Sequence, residues 1–295
     1  MPNLAVVTGL VTALCWGTGD YLSRSQSERV GYYKTLVYSM IVTFVVLVAL
    51  TPVISPGLRA PSGPLAVLVV AGILNFVAFS FLYRAFHKGV VSVVAPVAYT
   101  YPAITTVLSI FLLGTVLRSI EILAIAGIII GVVLTSTRFS EIKRYTAGKG
   151  STGLTAGFIP AAAASLFFGF VYVGVGYAAP LVSLIVPVMI LRIVGIAMGF
   201  ALAPALKQNA RPTKGVFSRG IIAMGVLEAV GFLSLTYGIS APGGSLPIVT
   251  AISGMGGAVA AGYGLVILKE RLEPNQIIGV VLSLLGVFTL LCLGG

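Results

Sequence analysis

The sequence consists of long apolar runs separated by short polar stretches. Each run is close to the ~20 residues with which an α-helix crosses the ~30 Å hydrocarbon core of a bilayer. Apolar and polar residues do not alternate within the runs, so the pattern predicts helices and not strands. Ten membrane spans are predicted, at residues 4–22, 33–53, 64–85, 91–113, 119–136, 156–178, 182–205, 218–238, 245–267 and 274–293. The predicted fold class is therefore all-α and integral to the membrane, with ten transmembrane helices.

Composition supports a membrane protein and weakens the other classes. Apolar residues make up 58% of the chain and charged residues 8%, against about 25% charged residues in soluble domains. The net charge of +11 comes from basic residues that lie in short loops between spans. This distribution favours anionic lipid headgroups as partners and argues against nucleic acid. Cys15 and Cys292 both fall inside predicted spans, so we expect no disulfide, no metal site and no cofactor.

The division of basic residues between the loops predicts the orientation. Of the 18 Lys and Arg residues, fifteen lie in the loops after spans 1, 3, 5, 7 and 9, two lie on the opposite side, and Arg192 lies inside span 7. Loops rich in Lys and Arg stay in the cytoplasm. We therefore expect a multi-pass protein of the cell membrane, with external termini and a cytoplasmic polar segment at residues 137–155.

An internal repeat relates the two sides of this polar segment. The stretch from Gly72 to Phe79 aligns with the stretch from Gly225 to Phe232. Further matched positions are Asn75 and Glu228, Glu121 and Gln276, Ala124 and Gly279, and Gly131 and Gly286. Self-similarity of this kind indicates a duplicated structural unit.

The number of spans in each copy determines how the copies are related. Five spans is an odd number, so the second copy must enter the membrane from the opposite side. We therefore predict two inverted five-helix repeats, at residues 1–136 and 156–295, joined by a cytoplasmic linker at 137–155. Inverted repeats are common in secondary transporters, whose substrate site lies near the bilayer midplane between the repeats.

Short motifs give the chain a resemblance to a known family. Trp16 and Gly17 stand together in span 1, and the segment 268–272 reads Leu-Lys-Glu-Arg-Leu before the last span. The first copy departs from this second motif, with Thr115 and Val116 where Glu and Arg are expected. In motif order and duplication the chain resembles the drug/metabolite transporter (DMT) superfamily, in its EamA-like ten-helix form. The resemblance implies a transporter, and it implies cytoplasmic termini where the loop charges predict external ones.

Ionisable residues inside a membrane are costly and are candidates for function. Glu228 lies in span 8, Arg192 in span 7 and Asp20 late in span 1, while Asn75 is the repeat counterpart of Glu228. Glu228 and Asp20 are the candidates for proton coupling, and all four are candidates for substrate binding. Two structural alternatives stay open: an ion pair between Glu228 and Arg192, and a position of Asp20 at a helix end near the headgroups.

Aromatic residues complete the predicted substrate site. Tyr99 lies in span 4 beside two prolines, which predict a bent and polar-lined helix. Tyr263 lies in the matching span 9, which is rich in glycine, and Trp16 lies in span 1. Trp16, Tyr99 and Tyr263 are therefore candidates for the wall of a central cavity.

The function predicted from these features is secondary active transport of small polar metabolites. Alternating access would proceed by rocking of the two halves, coupled to protons or working by exchange, in a monomer or a homodimer. The alternatives are a membrane-embedded enzyme and a channel. Asp20 is the only aspartate, so the pair of aspartates that a membrane aspartyl protease requires is missing, and we expect no enzymatic activity.

Overall fold

The computed structural model describes residues 2–88, 97–140, 142–143, 152–259, 262–263 and 273–293. Within these residues the chain is helical and has no strand. The helices are α1 (Pro2–Val30), α2 (Tyr32–Ile54), α3 (Ser62–Lys88), α4 (Tyr101–Leu113), α5 (Ser119–Ser136), α6 (Thr152–Ala178), α7 (Val186–Ala201), α8 (Arg219–Ser240), α9 (Leu246–Ser253) and α10 (Pro274–Cys292). Each of the ten predicted spans overlaps one of these helices.

Two helices extend four or more residues beyond one end of their predicted spans. Helix α1 continues to Val30, past the predicted end at residue 22, because a helix can continue into water after its apolar part ends. Helix α6 begins at Thr152, inside the predicted linker 137–155. The motif at 268–272 lies outside the described residues.

The starts of α5 and α10 are fixed by similar backbone caps. The backbone N–H of Arg118 donates to Glu121 Oε2 at 2.7 Å, and the backbone N–H of Glu273 donates to Gln276 Oε1 at 3.0 Å. In both helices the acceptor lies three residues after the donor, as in a capping box, and satisfies a backbone group that the helix itself cannot pair.

Length, composition and surface show that the protein is built for a bilayer. Six helical segments are long and apolar enough to cross a membrane: Tyr32–Ile54, Ser62–Leu82, Ser119–Ser136, Gly157–Leu181, Arg219–Ser240 and Pro274–Cys292. Three apolar segments are shorter: Tyr101–Leu113, Val186–Ala201 and Leu246–Val259. Large apolar side chains such as Phe111 and Ile159 are exposed, more widely than on a soluble monomer. The chain is a multi-pass membrane protein.

Helix packing brings residues from the two halves of the chain together. Helix α3 packs against α6 and α7, while α8 packs against α1 and α2. Helix α4 packs against α6, and α9 packs against α1. Helices α5 and α10 pack mainly against each other. The buried apolar core lies between these helices and draws on both halves.

One end of the helix assembly, which we call the linker face, carries the start of the predicted linker. There the backbone N–H of Ser140 donates to Glu273 Oε2 at 3.2 Å, just before α10. At the same face Lys34 Nζ donates to Thr213 Oγ1 at 3.3 Å. The loop after α1 therefore meets the loop after α7, and the chain after α5 meets Glu273 just before α10.

The opposite face carries the remaining connections. The backbone N–H of Arg59 donates to Ser183 Oγ at 2.8 Å, which joins the loops after α2 and α6. Arg118 Nη2 donates to the carbonyl of Leu293 at 3.3 Å, which joins the loop after α4 to the end of α10.

Candidate functional site

The buried charges of the predicted site form an ion pair between neighbouring helices. Arg192 Nη2 of α7 lies 3.0 Å from Glu228 Oε1 of α8. The Arg192 side chain is fully buried, whereas 19% of the Glu228 side chain is exposed. The ion pair that the sequence left as a structural alternative is present, and its carboxylate is the accessible partner.

Groups on α2 and α8 hold the two charges in place. Thr43 Oγ1 lies 3.3 Å from Glu228 Oε2, to which it donates. The guanidinium carbon of Arg192 lies 4.7 Å from the centre of the Phe232 ring, at the distance of a cation–π interaction. Phe232 follows Glu228 by one helical turn, so α8 presents a carboxylate and an aromatic face to the same arginine.

Most of the donor capacity of Arg192 is unused. Its Nε and Nη1 atoms have no hydrogen-bond partner among the described residues. Nη2 is close enough to Glu228 for an ion pair but is not aligned with it as a hydrogen-bond donor. Buried polar groups are nearly always hydrogen-bonded, so a buried guanidinium with spare donors is a candidate for binding an oxyanion.

Trp16 of α1 contacts the same site through Phe232. The centroids of the two rings are 4.9 Å apart and their planes are inclined by 60°, and the Trp16 centroid is also 5.9 Å from that of the Tyr172 ring. The indole Nε1 is buried without a partner in the part of the chain that the structure describes. A Cβ atom at Gly231 would lie 2.7 Å from this nitrogen, so glycine at 231 makes room for the indole.

The predicted site residues do not include two tyrosines, Tyr101 and Tyr172, that extend this site towards α4 and α6. The rings of Tyr101 and Tyr172 are 5.0 Å apart, and the Tyr101 hydroxyl lies 3.2 Å from Ser253 Oγ of α9. Tyr172 is within electrostatic range of both Arg192 and Glu228. A tyrosine in the middle of an apolar span, away from the membrane interfaces that tyrosines prefer, is the signal that could have identified Tyr172.

Helices α4 and α9 are both interrupted beside this site. A turn at Tyr99 and Thr100 precedes α4, and a turn at Gly254 and Met255 follows α9. A Cβ atom at Gly254 would lie 3.0 Å from the Pro102 ring, so the two interruptions face each other. The predicted irregularity of span 4 is confirmed at Tyr99, while the first of its two prolines lies outside the described residues.

Asp20 lies within α1 and not at the helix end that the sequence left open as an alternative. Helix α1 continues for ten residues beyond it, because the polar residues that follow are compatible with a helix. The Tyr99 hydroxyl donates to Asp20 Oδ2, and Asp20 is exposed although it lies within electrostatic range of Glu228.

Tyr263 meets α1 on the neighbouring turns. Its hydroxyl lies 3.0 Å from Thr18 Oγ1, and its ring stacks on Tyr21 at 5.0 Å. Tyr263 thus contacts the helix that carries Asp20, through residues on either side of it.

Asn75 of α3 is the remaining predicted site residue. It is fully buried, and neither its amide oxygen nor its amide nitrogen has a hydrogen-bond partner among residues with described positions. The described contacts do not join Asn75 to the ion pair. Six of the seven predicted residues therefore form two groups, each of which includes one residue of α1. Trp16 is grouped with Arg192 and Glu228, and Asp20 is grouped with Tyr99 and Tyr263.

A separate cavity of about 390 Å³ opens at the opposite face. Its lining includes Thr115, Glu121, Gly176 and Ser245. None of the predicted site residues lines it. Within the described residues no three His, Cys, Asp or Glu side chains are grouped as metal ligands.

Comparison with known proteins finds one family, one relative and one solved structure that are similar to this chain. Residues 3–137 match the model of the EamA-like transporter family. An uncharacterized protein of Methanocaldococcus jannaschii is 27% identical over 137 residues, which make up 45% of this chain and 97% of that protein. A solved crystal structure matches 99% of this chain and 99% of its own chain, with 18% identity and a TM-score of 0.78. At that identity the similarity concerns the fold alone.

Proposed function

We propose that this chain, whose residues 3–137 belong to the EamA-like transporter family of the DMT superfamily, is a secondary active transporter of small polar metabolites. The match to that family supports a membrane transporter of the DMT type. The observation that supports the finer statement is the Arg192–Glu228 ion pair, which lies between helices beside two interrupted helices. Transporters place substrate and ion sites at such interruptions.

Two inverted five-helix repeats, at residues 1–136 and 156–295, are part of this proposal, with residues 137–155 as linker. The match to the archaeal protein supports a five-helix unit, because 137 aligned residues cover 97% of that protein. A sequence of roughly half this length therefore occurs as a whole chain.

Equivalent contacts between the halves support the repeat. A Cβ atom at Gly72 of α3 would lie 2.8 Å from Val194 of α7, and one at the matched Gly225 of α8 would lie 2.5 Å from Val42 of α2. The sequence alignment of the two glycines thus corresponds to the same kind of contact in space. The packing of α3 on α6 is likewise matched by the packing of α8 on α1.

The directions of matched helices support inversion. A Cβ atom at Gly131 of α5 would lie 2.6 Å from the Gly279 carbonyl of α10, and one at Gly286 would lie 2.7 Å from the Ala124 carbonyl. Earlier residues of α5 therefore meet later residues of α10, so the two helices are antiparallel. A repeat inverted in the membrane requires this relation between α5 and α10.

In the proposed mechanism the two halves rock about a central site lined by α1–α4 and α6–α9, while α5 and α10 brace the outside. The substrate would contact Trp16, Asn75, Tyr99, Arg192 and Tyr263, together with the acids. Protons are proposed as the coupling ion, with Glu228 and Asp20 as the groups that carry them. The geometry favours transport over an enzyme or a channel because the two carboxylates are held separately, one by an arginine and one by a tyrosine, on different helices.

The proposed location is the cell membrane, with the linker face in the cytoplasm beside anionic headgroups and both termini external. The loop charges support this orientation. We propose a monomer or a homodimer that works without a cofactor and without nucleic acid.

Reconstitution into liposomes tests the function. Uptake of solutes from an isotope-labelled metabolite extract is measured by mass spectrometry with and without a proton gradient. We expect uptake of specific polar solutes, accelerated by the gradient in the wild type and insensitive to it in Glu228→Gln. Glu121→Gln is the matched control, because Glu121 also pairs with an arginine but lies in the first turn of α5, on a different helix from the Arg192–Glu228 pair. Equal uptake with and without the gradient would exclude proton coupling, and uptake of no solute would exclude transport.

A further inference from the structure

The residues around Arg192 neutralise its buried charge but leave part of its hydrogen-bonding capacity unused. A single carboxylate that approaches one nitrogen leaves Nε and Nη1 without acceptors among the described residues. The guanidinium has a planar fork of five donors that suits a bidentate oxyanion. The ring of Phe232 covers one face of the guanidinium and would hold it in position if the carboxylate moved away.

The repeat indicates that helix packing does not require this ion pair. Met40 precedes Val42 by two residues, as Arg192 precedes Val194, and Asn75 is the counterpart of Glu228. The first half thus has two uncharged residues where the second half has the ion pair. A buried ion pair is rarely more stable than apolar residues of similar volume, so its presence in one half alone points to a role other than folding.

Accessibility determines how a ligand can reach the arginine. Arg192 has no exposed side-chain surface, whereas part of Glu228 is exposed. An anion that approaches the exposed part of Glu228 therefore meets this carboxylate first, and it reaches the guanidinium only when Glu228 turns away. The hydrogen bond that retains Glu228 on its other side, from Thr43, is long at 3.3 Å.

We propose, building on the transport function above, that a carboxylate group of the substrate displaces Glu228 from Arg192. The substrate carboxylate forms a bidentate pair with the guanidinium, and the released Glu228 carboxylate takes up one proton from water. The charged and titratable groups that face Glu228 are Arg192 from α7, Asp20 from α1 and Tyr172 from α6. Once Arg192 is occupied by substrate, the only other charge in this set is the acid Asp20, so a charged Glu228 is disfavoured.

The same charges select a carboxylate over a phosphate. Arg192 is the one cation of the set, and a substrate with a single negative charge balances it. A dianionic phosphate ester would add a second negative charge near Asp20. The substrate class is therefore small organic acids that carry a carboxylate, including acids that also carry a separate cationic group.

Matched pairs of acids and amides test the displacement on the purified full-length chain. The probes are benzoate, phenylacetate and hexanoate, each beside its primary amide, with phenyl phosphate as a further arm. Thermal stabilisation and proton uptake in weak buffer at pH 7 are measured for the wild type, Glu228→Gln, Arg192→Met and the control Glu121→Gln. The wild type should bind the acids in preference to the amides and to phenyl phosphate, and it should take up one proton per acid bound.

The variants separate displacement from simple binding. Glu228→Gln removes the competing charge, so it should bind the acids at least tenfold more tightly and take up no proton. Arg192→Met should lose the preference for acids, and Glu121→Gln should retain it. Equal binding of acids and amides, preference for phenyl phosphate, binding of no probe, or no gain in Glu228→Gln would each overturn the proposal.

The outcomes also distinguish this inference from the transport function. Gradient-driven uptake of neutral or cationic solutes, with no preference for acids, would leave transport standing and remove the carboxylate site. Tight binding of acids by a chain that moves no solute in liposomes would support the carboxylate site and remove the transport function.

Discussion

Replacing Glu228 by glutamine leaves the buried guanidinium of Arg192 without its carboxylate partner. Removing one member of a buried ion pair typically costs about 3–5 kcal/mol, because the other charge stays buried and unpaired. The lower end applies here, about 3 kcal/mol, since Glu228 is partly exposed and the Phe232 ring still faces the cation. With about 2.1 cal/mol/K of unfolding entropy per residue, a chain of 295 residues should melt about 5 °C lower.

A double variant tests the physical reason. Arg192→Met combined with Glu228→Met replaces both charges by apolar side chains, and this exchange is often neutral or stabilising. The double variant should therefore melt at or above the wild-type temperature, although Glu228→Gln alone melts below it. The assay is the melting temperature of purified protein in one detergent, without added organic acid, at pH 7. A double variant as unstable as Glu228→Gln would refute the buried-charge explanation, because no charge remains to be unpaired.

Three further predictions concern the helix brace, the linker and the orientation. Gly279→Ala should lower the free energy of unfolding by about 1–3 kcal/mol, because the new Cβ would lie 2.6 Å from backbone atoms of α5. In the control Gly127→Ala the nearest atom would be 3.8 Å away. Equal melting temperatures of the two variants would contradict this packing. Hydrogen bonds from Ser140 lower the pKa of the Glu273 carboxyl from its ordinary 4.5, so their stabilising effect should be present above that pH and disappear as the pH falls through the lowered pKa. The melting temperatures of the wild type and Ser140→Ala should therefore converge as the pH falls. A difference in melting temperature that stays constant with pH would argue against a stabilising hydrogen bond between Ser140 and Glu273. In a background without Cys15 and Cys292, an impermeant thiol reagent should label Ser62→Cys from outside and Ser140→Cys only after permeabilisation; the reverse result would invert the proposed orientation.

The fold was largely predictable because hydropathy along the sequence is nearly sufficient to locate membrane-spanning helices. Once water is excluded, every backbone group must be paired within its own segment, so each apolar run became a helix. Helix ends were less predictable: nothing at residue 22 requires the helix to stop, and α1 continues in the polar residues that follow. For the same reason α6 begins at Thr152, before the predicted end of the linker at residue 155.

The candidate site was predictable in its residues but not in its groupings. Charged residues inside spans are few, so Arg192, Glu228 and Asp20 could be selected from sequence alone. Their partners could not, because Tyr99 meets Asp20 and Phe232 meets Arg192 only through packing between helices distant in sequence. An ordinary phenylalanine in an apolar span carries no signal that a guanidinium will lie on its ring.

The brace between α5 and α10 has a consequence for how the chain can vary. Gly131 and Gly279 approach each other's backbone, and the small side chains of Ser283 and Thr135 lie beside them. This joint therefore depends on the two glycines together with a few small polar residues. The surfaces of α5 and α10 that face outward can therefore vary in sequence, and halves from divergent chains should remain exchangeable as long as both keep the residues of this joint.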